Sequence, residues 1–293
     1  VTDQQPTPVA DKPVDPAPTQ KKSRAGRNLP AAIAVGVVLG AMAIGTLLFA
    51  PIWWLPLLAA AIAIATHEVI RRLREHGYVL PVIPLLVGGQ AMIWLTWPFG
   101  MAGLLGGYAG TIVVAMVWRL LGQGLGSQPV NYLRDIAASV LLATWVPMFA
   151  AFTALLIFAD HGGVRVFTVI ATVVFADIGG YVAGVLFGKH LMAPAISPKK
   201  SWEGLGGSLV FGTAAAVLSV TFLLDKPAWV GVPLGVMLVI TGVLGDLVES
   251  QIKRDLGIKD MGTLLPGHGG LMDRIDAMLP SAVAGWIVLT LLA

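Results

Sequence analysis

The sequence predicts an all-α polytopic membrane protein of about nine transmembrane helices, with its N-terminus in the cytoplasm. Three observations carry that expectation. Hydrophobic residues make up 56% of the 293-residue chain and charged residues only 12%, whereas soluble domains carry roughly a quarter charged residues. Apolar runs of roughly 20 residues recur, the length that crosses about 30 Å of hydrocarbon. The cations are distributed unevenly about those runs. A β-barrel would need alternating segments of about ten residues, and these runs are apolar on every face.

Residues 1–28 are of different material. They hold five prolines, no aromatic residue and a basic end of Lys21, Lys22, Arg24 and Arg27. Such a segment cannot bury enough apolar surface to offset ordering, so a disordered cytoplasmic tail is expected. It lacks the order of a signal peptide, and its basic end suits anionic headgroups. From Leu29 the expected spans are 30–50, 52–70, 79–97, 100–121, 136–158, 165–187, 205–224, 229–249 and 277–293. Pro51, Trp97-Pro98, Asp160 to Gly163 and Asp225 to Pro227 mark the turns on one side. With the N-terminus inside, 17 of the 19 Lys and Arg fall in the cytoplasm, leaving Arg165 and Lys226 outside. The chain divides into the tail, N-terminal helices over 29–160, and a C-terminal catalytic region over 161–293 with cytoplasmic loops 189–204 and 250–276.

Trp53, Trp54, Trp97, Trp118 and Trp229 fall near span ends, as an interfacial belt requires, while Trp94, Trp145 and Trp286 are expected to pack. Gly36/Gly40, Gly103/Gly107 and Gly106/Gly110 are small-xxx-small pairs that permit close helix approach. His67, Glu68 and His76, beside Arg71 to Arg74 at a span end, are read as interfacial and given no role. The absence of Cys removes disulfides and thiolate metal sites.

The chemistry concentrates near the ends of three spans. Asp177 lies inside a span, where a carboxylate costs about 2.5–3.5 kcal/mol on insertion scales and needs a polar cavity or a partner. Gly180, Gly184 and Gly188 follow at four-residue steps on nearly one face, able to press on a helix or a headgroup. The next loop groups Ser197, Lys199, Lys200, Ser201 and Glu203, cations and hydroxyls that suit a triphosphate or a lipid phosphate. In GVLGDLVESQIKRD, Asp246, Glu249, Ser250 and Lys253 share one helical face. Asp273 and Asp276 stand on the first turn of the last span. With Asp246 they form an oxygen-only set of the kind hard cations choose, Mg²⁺ above all. Their plainer reading is charge complementing a helix N-terminus. His268, with Gly269 and Gly270 behind it, suits substrate contact, and the backbone there suits an anion-binding nest.

The window Ser250 to Asp276, SQIKRDLGIKDMGTLLPGHGGLMDRID, closely resembles the signature of bacterial phosphatidate cytidylyltransferases, the CDP-diacylglycerol synthases. The segments Asp177/Tyr181 to Lys189 and Ile196 to Lys200, and the nine-helix layout, are similar to that family as well. The resemblance covers residues 165–276 by motif and the earlier spans by hydropathy alone. Ser201 departs from it, standing where Thr is more usual, and the Pro-rich tail lies outside the family core.

The resemblance implies that CTP and phosphatidate are the substrates and CDP-diacylglycerol and pyrophosphate the products, at the cytoplasmic face of a bacterial plasma membrane. It also implies a homodimer. Asp246, Asp273 and Asp276 match cation-binding acids, and Ser197, Lys199, Lys200, Lys253 and Arg254 match phosphate-binding surroundings. Taken together, Asp246, Asp273, Lys253 and His268 are expected to act in catalysis. Ser197, Lys199, Lys200, Ser201, Glu203, Ser250, Arg254, Lys259, Gly269, Gly270, Arg274 and Asp177 are expected to bind substrate. The expected cofactor is one or two Mg²⁺ ions, with a monovalent cation as a further candidate. No nucleic acid is expected. Two other classes stay open on sequence: a secondary transporter using Asp177 and Asp246 as coupling acids, and a CTP-dependent lipid kinase that moves the γ-phosphate instead.

Overall fold

The computed structural model describes residues 40–262 and 269–293, so His268 and the tail lie outside the described residues. It is that of an all-α polytopic membrane protein. Among the described residues, seven helices are long and apolar enough to cross a bilayer: Pro51–Glu75, Thr96–Gln123, Tyr132–Ile157, Gly162–Phe187, Trp202–Phe222, Ala228–Asp255 and Met272–Leu292. Gly40–Phe49 and Val82–Trp94 are shorter apolar helices. In chain order the helices are α1 (Gly40–Phe49), α2 (Trp54–Glu75), α3 (Val82–Trp94), α4 (Thr96–Gln123), α5 (Tyr132–Ala143) and α6 (Phe149–Ile157). They continue with α7 (Gly162–Phe187), α8 (Trp202–Phe222), α9 (Ala228–Asp255), α10 (Met272–Ile275) and α11 (Met278–Leu292). A two-stranded antiparallel ribbon, β1 (Leu191–Ala193) and β2 (Ser197–Ser201), joins α7 to α8.

Local chemistry explains the irregularities. Pro147 has no N–H to donate, and the chain between α5 and α6 widens into a π-turn over Thr144–Met148. Gly100, at φ 53°, kinks α4 near its start. Helices α2 and α9 end alike. After α9, Gly257 (φ 65°) lets its N–H bond the Arg254 carbonyl while the Ile258 N–H bonds that of Lys253. This paired closure turns the chain back sharply and leaves Ile252 and Ile258 against the core.

The second half is built on a glycine seam. Helices α7 and α8 make the most extensive helix–helix contact. A Cβ at Gly179 would lie 2.6 Å from the Gly207 carbonyl oxygen, and one at Gly180 2.3 Å from Ser208 Oγ. The four-residue glycine steps thus press α7 onto another helix. Gly107 likewise admits α3 and Gly103 admits Leu95 just after it, whereas Gly106 and Gly110 face open space. Trp53, Trp97, Trp118 and Trp229 are exposed, as an interfacial belt requires. Trp54 is buried instead, and Trp94, expected to pack, is exposed and bonds Gln90 on its own helix.

The cationic loops gather at one end of the bundle. There Arg134 bonds the Gly77 carbonyl, Arg72 that of Met261, and Arg254 that of Ile196. At the other end Arg165 bonds the carbonyls of Asp160 and Leu289.

Candidate active site

At the cation-rich end, α7, the ribbon, α8 and α9 enclose a cleft of about 340 Å³. Asp177, Tyr181, Ser197, Lys199, Lys200 and Asp246 line it, over a floor that includes Gly180, Gly184 and Gly204. The ribbon is pinned at both ends. Ser201 Oγ accepts from the Gly204 N–H at 3.1 Å and caps α8. Glu203 accepts from the Lys189 and His190 N–H groups at 3.1 and 3.2 Å and from the His190 ring at 2.6 Å. Ser201, which also lines the cleft, and Glu203 thus both help to shape the ribbon. Arg254 Nε donates to the Ile196 carbonyl at 3.3 Å, tying the ribbon's turn to α9.

Helix α9 supplies the second wall. As its spacing predicts, Ser250 donates to Asp246 Oδ1 at 3.2 Å and Lys253 to Glu249 Oε2 at 2.7 Å, both one turn apart. Lys200 Nζ lies 2.7 Å from Asp246 Oδ2 and donates to the Val243 carbonyl at 3.3 Å, so the ribbon's second lysine already grips α9.

Beside the cleft, Asp273 is nearly saturated. It accepts from Lys253 Nζ at 2.9 Å, from the Met261 N–H at 2.9 and 3.1 Å, from Gly270 at 2.9 Å and from Gly262 at 3.4 Å. Gly269, at φ 83°, leaves room against this carboxylate, since a Cβ there would lie 3.2 Å from Oδ2. Asp276 is buried beside the fully buried Glu249, whose Oε1 has no hydrogen-bond partner. Asp177 feels the charges of Asp246, Asp276 and Lys200. Lys259 is exposed beyond the turn after α9, and Arg274 lies in α10 between the two acids.

Among the described residues, no three acids or histidines are close enough together to hold a metal ion as they stand. The donor chemistry nevertheless fits a hard cation. Asp177, Asp246, Glu249, Asp273 and Asp276 crowd around two bonded ammonium groups, Lys200 and Lys253, and one buried carboxylate oxygen is unpartnered.

Two acids escaped the sequence reading. Glu249 was placed on the right helical face but not among the site residues. Glu68, read as interfacial, is 8% exposed and accepts from the Met272 N–H at 2.9 Å, because α2 packs under the segment that carries Asp273. Its isolation in sequence, 204 residues from Met272, left no local signal.

The Cytidylyltransferase family model matches residues 30–292. The phosphatidate cytidylyltransferase of Mycobacterium bovis is 58% identical over 283 residues, 94% of this chain and 92% of its own. That of Mycobacterium leprae is 58% identical over 285 residues, 94% of this chain and 91% of its own. The protein of the same name from Haemophilus influenzae is 42% identical over 123 residues, 40% of this chain and 43% of its own. A cleft of lysines and hard oxygen donors, a family match along nearly the whole chain, and relatives aligned over most of both lengths give one result: the chain belongs to the cytidylyltransferase family.

Proposed function

We propose that the protein transfers the CMP moiety of CTP to phosphatidate, giving CDP-diacylglycerol and pyrophosphate. The observation that carries this reading is the cleft itself, where Lys199, Lys200 and Asp246 meet beside the Asp273–Lys253–Glu249 network. A phosphate oxygen of phosphatidate forms the new bond to the α-phosphorus of CTP as the bond to the β-phosphate oxygen breaks. Both reactants are anionic, so the first task of the site is to bring them together. Lys199 and Lys200 meet phosphate oxygens as point charges, with Ser197 beside them as a hydroxyl donor. Arg254 keeps the ribbon seated on α9. Lys253 holds Asp273 in place, and Gly269 and Gly270 let the backbone close on that acid. His268, Ser250, Lys259 and Arg274 are assigned supporting contacts to substrate, and Asp177 the polar floor of the cleft.

Asp246, Asp273 and Asp276 are the residues that would hold one or two Mg²⁺ ions, with a monovalent cation as a further candidate. The bound metal supplies neutralisation of phosphate charge and of the departing pyrophosphate. The seven long and two short apolar helices support a nine-span arrangement. With 17 of 19 Lys and Arg on one side, the N-terminus and the cleft are assigned to the cytoplasm of a bacterial cell. A homodimer is carried on resemblance alone.

The test is pyrophosphate release by the purified protein in detergent, given CTP, Mg²⁺ and phosphatidate, with each omitted in turn. Release that needs all three, with a cytidine-bearing lipid as product, is expected. Release of CDP instead would mean γ-phosphoryl transfer. Ion-dependent flux in proteoliposomes without CTP consumption would mean a transporter.

A further inference from the structure

Helix α2 carries no part of the signature, yet two of its side chains, one turn apart, grip the segment that holds Asp273. Glu68 Oε2 accepts from the Met272 N–H at 2.9 Å, and Arg72 Nε donates to the Met261 carbonyl at 2.9 Å. The Met261 N–H in turn donates to Asp273 at 2.9 Å. One residue, Met261, therefore joins the α2 guanidinium to the site carboxylate, its carbonyl facing Arg72 and its N–H facing Asp273. Glu68 is buried, and its other oxygen, Oε1, has no hydrogen-bond partner. That oxygen lies against Gly262, where an added Cβ would come within 2.1 Å of it. A Cβ at Gly270 would come within 2.6 Å of both Glu68 Oε2 and the Gly262 nitrogen. The two glycines are thus shaped to a carboxylate that reaches them from a distant helix. Burying an acid with one oxygen unpartnered is costly, and the carboxylate stays because the segment is built around it.

We propose that Glu68 is a positioning residue for the transfer reaction: with Arg72 it holds Met261 and Met272 and so fixes where Asp273 points. This rests on the reading of Asp273 as part of the catalytic site. The N-terminal half then contributes more than membrane anchorage, since α2 completes a site whose signature lies wholly in the second half.

The test uses the full chain in detergent, with pyrophosphate release and amide hydrogen exchange measured on the same samples. In Glu68→Ala, kcat should fall roughly 10- to 100-fold, the scale of losing a partner that orients a site ligand, while the KM for CTP moves far less. Exchange should accelerate in peptides covering 260–273 and stay unchanged in α4 and α11. Glu68→Gln keeps an acceptor for the Met272 N–H and should retain most of both activity and protection; it also decides the matter if the alanine variant does not fold. Gly262→Ala should lose activity by displacing the carboxylate, and adding Glu68→Asp, shorter by one methylene, should restore part of it. Wild-type kcat in Glu68→Ala, or lost activity with unchanged exchange over 260–273, would overturn the clamp. If the unsubstituted protein releases no pyrophosphate, the reading of the reaction fails, and the exchange data still judge the clamp.

Discussion

Replacing Asp273 by Asn separates its structural weight from its chemistry. The carboxylate takes an ammonium and three backbone N–H groups in a place where its side chain is only 6% exposed. An amide keeps one accepting oxygen and presents an NH₂ where the other stood. Either Lys253 or the Gly262 and Gly270 N–H groups then face a donor. A stranded buried donor costs about 1–3 kcal/mol, and a hydrogen bond to a charged group contributes about 1.5–3 kcal/mol. The sum, about 2.5–6 kcal/mol, brackets the roughly 3–5 kcal/mol expected for breaking a buried ion pair. Asp246 provides the contrast. Its pair with Lys200 is 38% and 23% exposed, so Asp246→Asn should change stability by no more than about 1 kcal/mol. Both variants should lose turnover. Unfolding by SDS in mixed micelles, followed by circular dichroism, measures the difference between them, and pyrophosphate release measures the activity. Equal stability of the two variants would refute the hydrogen-bond argument. Near-normal turnover in either would remove that acid from the catalytic set.

Three further outcomes follow from the packing. Gly179→Leu should separate α7 from α8, since even a Cβ would sit 2.6 Å from the Gly207 carbonyl oxygen; a loss of about 1–3 kcal/mol and a raised KM for CTP are expected by denaturation and kinetics. Arg119→Met leaves the fully buried Asp135 with only the more exposed Arg134; stability should fall by about 3–5 kcal/mol, with kcat/KM of the folded protein unchanged. Arg254→Ala frees the ribbon's turn from α9. Losing one such bond, about 1 kcal/mol or roughly fivefold, should appear in the KM for CTP and not in stability.

How far the sequence could be read depended on whether the relevant contacts are local. Hydropathy made the helices visible because a bilayer demands long apolar runs, and among the described residues α3 is shorter than expected; the expected span 30–50 falls partly outside them. The i,i+4 pairs Asp246–Ser250 and Glu249–Lys253 followed from helical spacing alone. Convergence in space did not. In sequence Asp246, Asp273 and Asp276 form one oxygen-only set, and spacing gave no sign that Asp273 would also accept from the Met261, Gly262 and Gly270 N–H groups or that Asp276 would lie beside Glu249. Ser201 and Glu203 look like phosphate ligands in a basic loop; in the fold Ser201 lines the cleft and also caps α8, and Glu203 accepts from the Lys189 and His190 N–H groups. Glu68 reads as one charge on a cationic rim until α10 is laid over it.

The paired ribbon also bears on speed. Fixing one residue's backbone costs roughly 1–2 kcal/mol, and for β2 that cost is met when the protein folds. Lys199 and Lys200 therefore wait on a backbone already set between α8 and α9. A nucleotide arriving from solution then meets Lys199 on a fixed backbone and must share Lys200 with Asp246. Capture should then depend on charge, slowing as salt screens the lysines.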